Sequence, residues 1–511
     1  MPLVAMAVLT AAAAQPAQAQ LLTAWRDCVG DRGVAPAQQI DGCSGVILSA
    51  DETPTRRAVA QFNRGALYQG QGAIDRAMAD YEAAARLDPG LAEAFAGRGS
   101  ASFAAGDYAR AVADYDRAVQ LKPNDARLLT GRAAARAAHG DRTGALADYD
   151  RAVELAPGSA EILTQRGQAR ASFGDEDRAL ADFNRVLAQF PDFAPALANR
   201  GALFARKGQL DRALADFDAA VRLAPNLALA RSGRAWLWRA KGDPARATVD
   251  YAEAARLDPG DARAQFGHGY ALAVGGDLQG AVAAYGAAIE RDPRDAGAFN
   301  NRGDALLSQG ELKAALADFD KALALRPGYA LALANRGRAR LQVGDPAGAA
   351  ADFTELLQRE PADLPARLSR AIAYGAQGSH PQALADADEA VRRAPKSAEA
   401  LNVRCWARGL SGEALDAALA DCDRSLALKS DAPEAYDSRA FVRLRRGEFE
   451  PALADYDAAL RLRPQLASAR FGRGLSELRL GRAAEGRTDM QAAQAAEPTI
   501  AADFARYGLT P

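Results

Sequence analysis

Apolar positions along this chain fall with a helical period. Between residues 108 and 119 they are Tyr108, Ala111, Val112, Tyr115, Ala118 and Val119. Steps of three and four put them on one face of an α-helix. Leu121-Lys122-Pro123 ends that helix, because proline cannot continue a helix and restricts the residue before it. The preceding stretch from Ala92 to about Ala105 has the same character and breaks at Gly106-Asp107. Asp107 is placed to cap the helix that follows. The predicted unit is therefore helix, tight turn, helix, proline. In two copies a proline stands just inside the second helix, at Asp243-Pro244 and Asp345-Pro346, where the first turn needs no N–H.

The unit recurs. Asn-Arg-Gly stands at Asn63-Arg64-Gly65, Asn199-Arg200-Gly201, Asn301-Arg302-Gly303 and Asn335-Arg336-Gly337, separated by multiples of 34 residues. The glycine slot continues from Gly65 to Cys405 without a slip, then resumes one residue late at Ala440 and Gly474. Thirteen repeats follow, at 58–91, 92–125, 126–159, 160–193, 194–227, 228–261, 262–295, 296–329, 330–363, 364–397, 398–432, 433–466 and 467–500. Glycine or alanine in the slot lets the two helices approach. Alanine twelve residues later (Ala77, Ala111, Ala145) is its small partner, and an aromatic sixteen residues later (Tyr81, Tyr115, Tyr149, Phe183) fills the space beside it. No single helix pair can bury its apolar face, so the pairs must stack.

This 34-residue pattern of small, aromatic, alanine and closing proline resembles the tetratricopeptide repeat family, over about 58 to 500. The family's usual tryptophan-leucine start is not kept, and arginine stands where leucine is common, which marks an Asn-Arg-Gly subtype. The resemblance implies an all-α solenoid, a right-handed superhelix of helix-turn-helix repeats. It also implies that the first helices line a concave groove that holds protein partners. Variable positions of those helices gather aromatics, amides and charges in the middle repeats: Trp236, Arg239, Phe266, Tyr270, Asn300, Asn301, Asp304, Asn335 and Arg338. Aromatics and arginine anchor interfaces, and asparagine can hold a peptide backbone through donor and acceptor together. The alternative is that these residues fill inter-repeat packing.

Arginine precedes the glycine slot in twelve of thirteen repeats, and aspartate precedes the aromatic slot in twelve of thirteen. The exceptions, His268 and Ala284, share one repeat. Arg64 and Asp80 lie eight residues either side of the turn at Gly72, so antiparallel helices set them level. An Arg–Asp pair is expected within every repeat except 262–295. The alternative is an arginine ladder gripping a polyanion, which would need free arginines.

The ends differ from the repeats. Leu3 to Ala14 is apolar but too short to span a bilayer, and Ala17-Gln18-Ala19 has the small–any–small pattern of a cleavage site. Residues 1–19 are expected to be a signal peptide, although no Lys or Arg precedes the apolar run; a buried N-terminal helix is the alternative. Export implies a periplasmic or secreted protein in an oxidising compartment. Residues 20–57 hold Gly30, Gly33, Pro36, Gly42 and Gly45, so a loop-rich segment is expected, closed by a Cys28–Cys43 disulfide. Cys405 occupies the glycine slot and Cys422 the aromatic slot of one repeat. They are expected to form a second disulfide, the alternative being two buried thiols acting as small apolar residues. Residues 501–511 are expected to cap the stack with a short helix from Ala501 to Tyr507.

Composition narrows the function. Lys+Arg 63 against Asp+Glu 65 leaves a formal charge of −2 over 511 residues, without the basic excess of a nucleic-acid binder. No later apolar run reaches the roughly 20 residues of a membrane span, so no transmembrane segment is expected in the mature chain. The three histidines lie in different repeats, and no metal, phosphate or nucleophile motif is present. No cofactor and no catalysis are expected. The function expected is an exported scaffold that binds protein or peptide partners. Alternatives are a regulatory or assembly subunit of an envelope enzyme complex, or a polysaccharide-binding solenoid.

Overall fold

A computed structural model describes residues 16–511. The predicted leader therefore lies mostly outside the described residues; the first helix, Pro16–Cys28, runs across the expected cleavage point after Ala19. Among the described residues there are 29 α-helices and one short 3-10 turn, with no strand. No helix among them is long and apolar enough to cross a membrane. The chain divides into two compact units, one ending at Lys241 and the other starting at Gly242. Each is a stack of helix pairs, the architecture of an α-solenoid.

In a representative pair, Ala92–Ala104 and Tyr108–Leu121 are joined by a turn. Gly106 takes φ 81°, and a glycine with positive φ stands at the same place in all thirteen turns. Only glycine enters that region without cost. Asp107 caps as expected, accepting from the Arg110 N–H at 3.0 Å. The inserted residue of the repeat 398–432 lies in its turn, where Ala414 follows Gly412 and Glu413 and is driven to φ 54°. A left-handed conformation costs an alanine about 1–2 kcal/mol.

The aromatic residue acts as a wedge between two repeats. A methyl group built on Gly65, in Tyr81's own repeat, would lie 2.9 Å from its ring; one on Gly97, in the next repeat, would lie 2.6 Å away. The same ring-between-glycines arrangement recurs at Tyr115 with Gly99 and Gly131. The repeat 364–397 has Ala387 in the aromatic slot, fully buried in one cluster with Leu368, Leu401 and Val403.

Residues 20–57 differ from expectation. The segment forms a helical hairpin, Pro16–Cys28 and Pro36–Leu48, with a core of Trp25, Cys28, Cys43 and Val46 that continues into Val59 and Ala60. Gly42 sits inside a helix because the partner backbone is so close. A Cβ there would come within 2.7 Å of the Ala24 carbonyl. The first repeat helix also begins earlier than the periodicity suggests, at Pro54, behind a Thr53 cap. At the other end, Ile500–Arg506 forms the tail helix.

Both cysteine pairs stand at disulfide distance. The Cα atoms of Cys28 and Cys43 are 4.4 Å apart and those of Cys405 and Cys422 are 5.4 Å apart, inside the bonding window of about 4.4–6.8 Å. All four side chains are fully buried.

Among the described residues at least eleven repeats show the Arg–Asp pair, each with both carboxylate oxygens engaged. Examples are Arg64–Asp80, Arg302–Asp318 and Arg370–Asp386, each with a closest approach of 2.7 Å. The aspartates are buried: Asp182, Asp352 and Asp421 are each 3% exposed. In five repeats a second arginine one turn later joins the same carboxylate, as Arg170 joins Asp182 at 2.9 Å. A further link crosses from repeat to repeat. Arg132 reaches Asp116 at 2.9 Å, Arg166 reaches Asp150 at 2.8 Å, Arg336 reaches Asp320 at 2.6 Å and Arg439 reaches Asp423 at 2.7 Å. Each of these acceptors lies two residues beyond the paired aspartate of the preceding repeat. Asn184 and Thr354 take the role for Arg200 and Arg370, and Ser44 of the N-terminal hairpin takes it for Arg64. The repeat 262–295 breaks the ladder. His268 replaces the arginine, and burial holds its pKa below the usual value against the pull of Asp277. Gly286 stands where Arg302 would meet an aspartate.

Candidate functional site

Positions three before and one after the glycine slot share a face of each first helix. In the N-terminal unit this face forms a cavity of about 910 Å³ across the repeats 92–125, 126–159 and 160–193. That is within the usual range for ligand sites, about 300–1,000 Å³. Its floor is made by absence: Gly131, Ala134, Ala137 and Ala138 fall on one face of the helix Ala126–His139. Phe103, Phe173, Arg127 and Glu161 also line it, Arg127 held by Asp125 at 3.0 Å. Gln165 and Gln168, both exposed, line it from the next first helix. The arginines nearby are not free to bind an anion. Arg132 and Arg166 are fully engaged by Asp148, Asp116, Asp182 and Asp150.

The residues singled out in the sequence divide into three groups. Trp236 and Arg239 lie on Ala228–Ala240 in the N-terminal unit; Trp236 is 38% exposed, and Arg239 is partly buried and engaged. In the C-terminal unit, Phe266 packs edge-on against Tyr285 at 5.6 Å, and Tyr270 joins the same cluster. The remaining five meet in one hydrogen-bonded chain across two repeats. Asn300 Nδ2 donates to Asn301 Oδ1 at 3.0 Å, Asn335 Nδ2 donates to Asn300 Oδ1 at 3.1 Å, and Arg338 donates to Asn335 Oδ1 at 2.5 Å and to Asp304 at 3.2 Å. Asn300 is 3% and Asn335 9% exposed. These amides tie the helices Ala296–Ser308 and Ala330–Val343 together. Among the described residues no group of three or more His, Cys, Asp or Glu could hold a metal ion.

Comparison with protein families bears directly on this architecture. A model of the tetratricopeptide repeat matches residues 58–91, 92–125, 130–194, 164–228, 198–262, 232–287, 266–330, 335–398 and 439–499. The chain belongs to the tetratricopeptide repeat family. The matches leave out 399–438, a stretch that contains Cys405 and Cys422. Among solved structures of tetratricopeptide-repeat chains and their like, YrrB, described as having an unusual peptide-binding site, is 26% identical. The match covers 36% of this chain and 95% of YrrB, at a TM-score of 0.32. The Cut9–Hcn1 hetero-tetramer of APC/C gives 13% identity over 88% of this chain and 96% of that one, TM-score 0.40. Yeast Tom70 gives 19% identity over 82% and 94%, TM-score 0.35. No match was found among curated proteins.

One titratable group of the C-terminal tetratricopeptide repeats stands out. Asp437, on the first helix Pro433–Arg445, loses water around its carboxyl, which pushes its pKa up to about 7; the Ser468 hydroxyl opposes the rise and Glu434 adds to it. Ser468 Oγ lies 2.7 Å from Asp437 Oδ2. A raised carboxyl pKa means that folding favours the protonated form. Its contribution is complete below the unfolded pKa, about 4, and is lost as pH rises through about 7. Thermal unfolding of repeats 433–500 should therefore fall in temperature between pH 5 and pH 8, and Asp437→Asn should shrink that difference. An unchanged pH dependence in the variant would remove Asp437 as its source.

Proposed function

We propose that this chain is a non-catalytic scaffold that binds an extended segment of a partner protein along the first helices of the repeats 92–193. The supporting observation is the alanine-floored cavity with Gln165 and Gln168 at its edge. Neither carboxamide has a partner among the described residues, and each offers a donor and an acceptor at once, the complement of a peptide unit. Small floor residues leave room for a backbone and its side chains. Phe103 and Phe173 offer apolar contact. Membership of the tetratricopeptide repeat family supports protein binding in general. The apolar, small-residue pattern of residues 1–19 and the two cysteine pairs at disulfide distance support export into an oxidising compartment.

Selection of peptides from a random displayed library on the full chain tests the binding reading. Ala134→Trp fills the floor, and peptides selected on the wild type should bind that variant at least tenfold more weakly, with its melting temperature kept. Equal binding would place the peptides elsewhere. Export is tested by the thiols. Protein isolated without reductant should yield Cys28 linked to Cys43 and Cys405 linked to Cys422 on peptide mapping, and recovery of free alkylated cysteines would contradict it.

A further inference from the structure

Residues 500–510 reach further than one more helix in the stack would. In a solenoid each repeat touches only its neighbours. A helix that simply extended the series after Ala483–Ala496 would lie against the last repeat alone. The tail helix Ile500–Arg506 touches both helices of the last repeat and also reaches back across the first-helix face. Phe504 is 4% exposed. Its ring centroid lies 4.8 Å from that of Phe471 in the last repeat and 6.2 Å from that of Phe441 in the repeat before. Tyr507 meets Phe441 edge-on at 5.6 Å. Arg506 reaches further, donating to the Ala376 carbonyl at 3.1 Å, 130 residues back and three repeats away. The Thr510 carbonyl accepts from Arg479 at 2.9 Å.

The surface under the tail has its own composition. Phe441 stands one residue after the small slot of its first helix, as does Trp406 one repeat earlier. Each lies over a glycine of the preceding first helix: any side chain at Gly375 would strike Trp406, and one at Gly409 would meet Phe441 at 3.2 Å. The result is an aromatic shelf on the first-helix face of these repeats. A seven-residue helix is far below the length that is stable alone, about 12–15 residues. The shelf therefore holds the tail in shape, and the tail displays what the shelf accepts: an aromatic pair spaced by three on one helical turn, with a cation one residue before the second ring.

We propose that the aromatic face of the repeats 398–500 is a second peptide-recognition site, for a short partner helix carrying Phe and Tyr three residues apart. The chain's own residues 500–509 are its resident occupant, which such a partner displaces. This inference is independent of the cavity in the repeats 92–193, which lies in the other unit.

The test uses the full chain and a fluorescent synthetic peptide of residues 499–511. Phe504→Ala with Tyr507→Ala removes the tail's anchors while leaving the shelf intact. This variant should bind the peptide at least tenfold more tightly than the wild type does. Adding Phe441→Ala should abolish the gain, and a scrambled peptide should not bind. A variant that binds no better than wild type, or binds the scrambled peptide equally, would make the tail a structural end cap and overturn the proposal. Arg506→Ala guards against the double variant failing to fold, because it keeps both rings and releases the hold on Ala376 together with the pair to Asp503. It should tighten peptide binding about threefold to tenfold, and no tightening would count against displacement.

Discussion

A guanidinium and a carboxylate cannot share a partly dry interface unless each satisfies the other, and this chain meets that constraint once in nearly every repeat. The fixed fork of arginine matches both oxygens of an aspartate, so Arg64, Arg302 and their equivalents each clamp one buried carboxylate across the helix pair. The remaining face of the fork reaches the preceding repeat, as Arg166 reaches Asp150 and Arg439 reaches Asp423. One side chain thus fixes two distances: that between the helices of a pair and that between a pair and its predecessor. The ring of Tyr81 or Tyr115, pressed between glycines of two repeats, sets the same spacing by volume.

That division of labour leaves the first-helix face free to vary. Arginines held by carboxylates do not serve as anion grips, which is why the polyanion reading finds no support in the geometry. The face is used in three ways. In the repeats 92–193 small residues hollow it out. In the repeats 296–363 amides bridge it from helix to helix. In the repeats 398–500 aromatics build it up, and the tail lies on them. In the proposed function these local departures from the repeat are what a partner meets, while the repeat itself supplies a regular support.

The repeat, its helix pairs and the Arg–Asp pairing were legible because each residue type recurs at a fixed interval, so thirteen copies test one another. The inter-repeat half of the ladder was equally present, in the Asp-aromatic-Asp triplets such as Asp114-Tyr115-Asp116. It was missed because it links different copies rather than positions within one. The N-terminal hairpin was misjudged because glycine signals a turn and a close helix contact alike, and Gly42 is the second. Asn300 and Asn335 look like groove residues by position, yet they bond to each other, because their offsets differ by one residue between copies. The cavity was invisible because its floor is alanine and glycine, which carry no chemistry of their own.

Native-state hydrogen exchange on Arg302→Ala tests the ladder most directly. The substitution leaves Asp318, 6% exposed, without its counter-charge. Removing one partner of a buried pair costs about 3 kcal/mol or more, roughly a hundredfold in the opening equilibrium. Amide protection in Ala296–Ser308 and Leu312–Leu325 should fall by that factor, while Arg256→Ala, which removes only an exposed pair with Glu253, should change protection less than threefold. Equal, small losses in both variants would contradict the account.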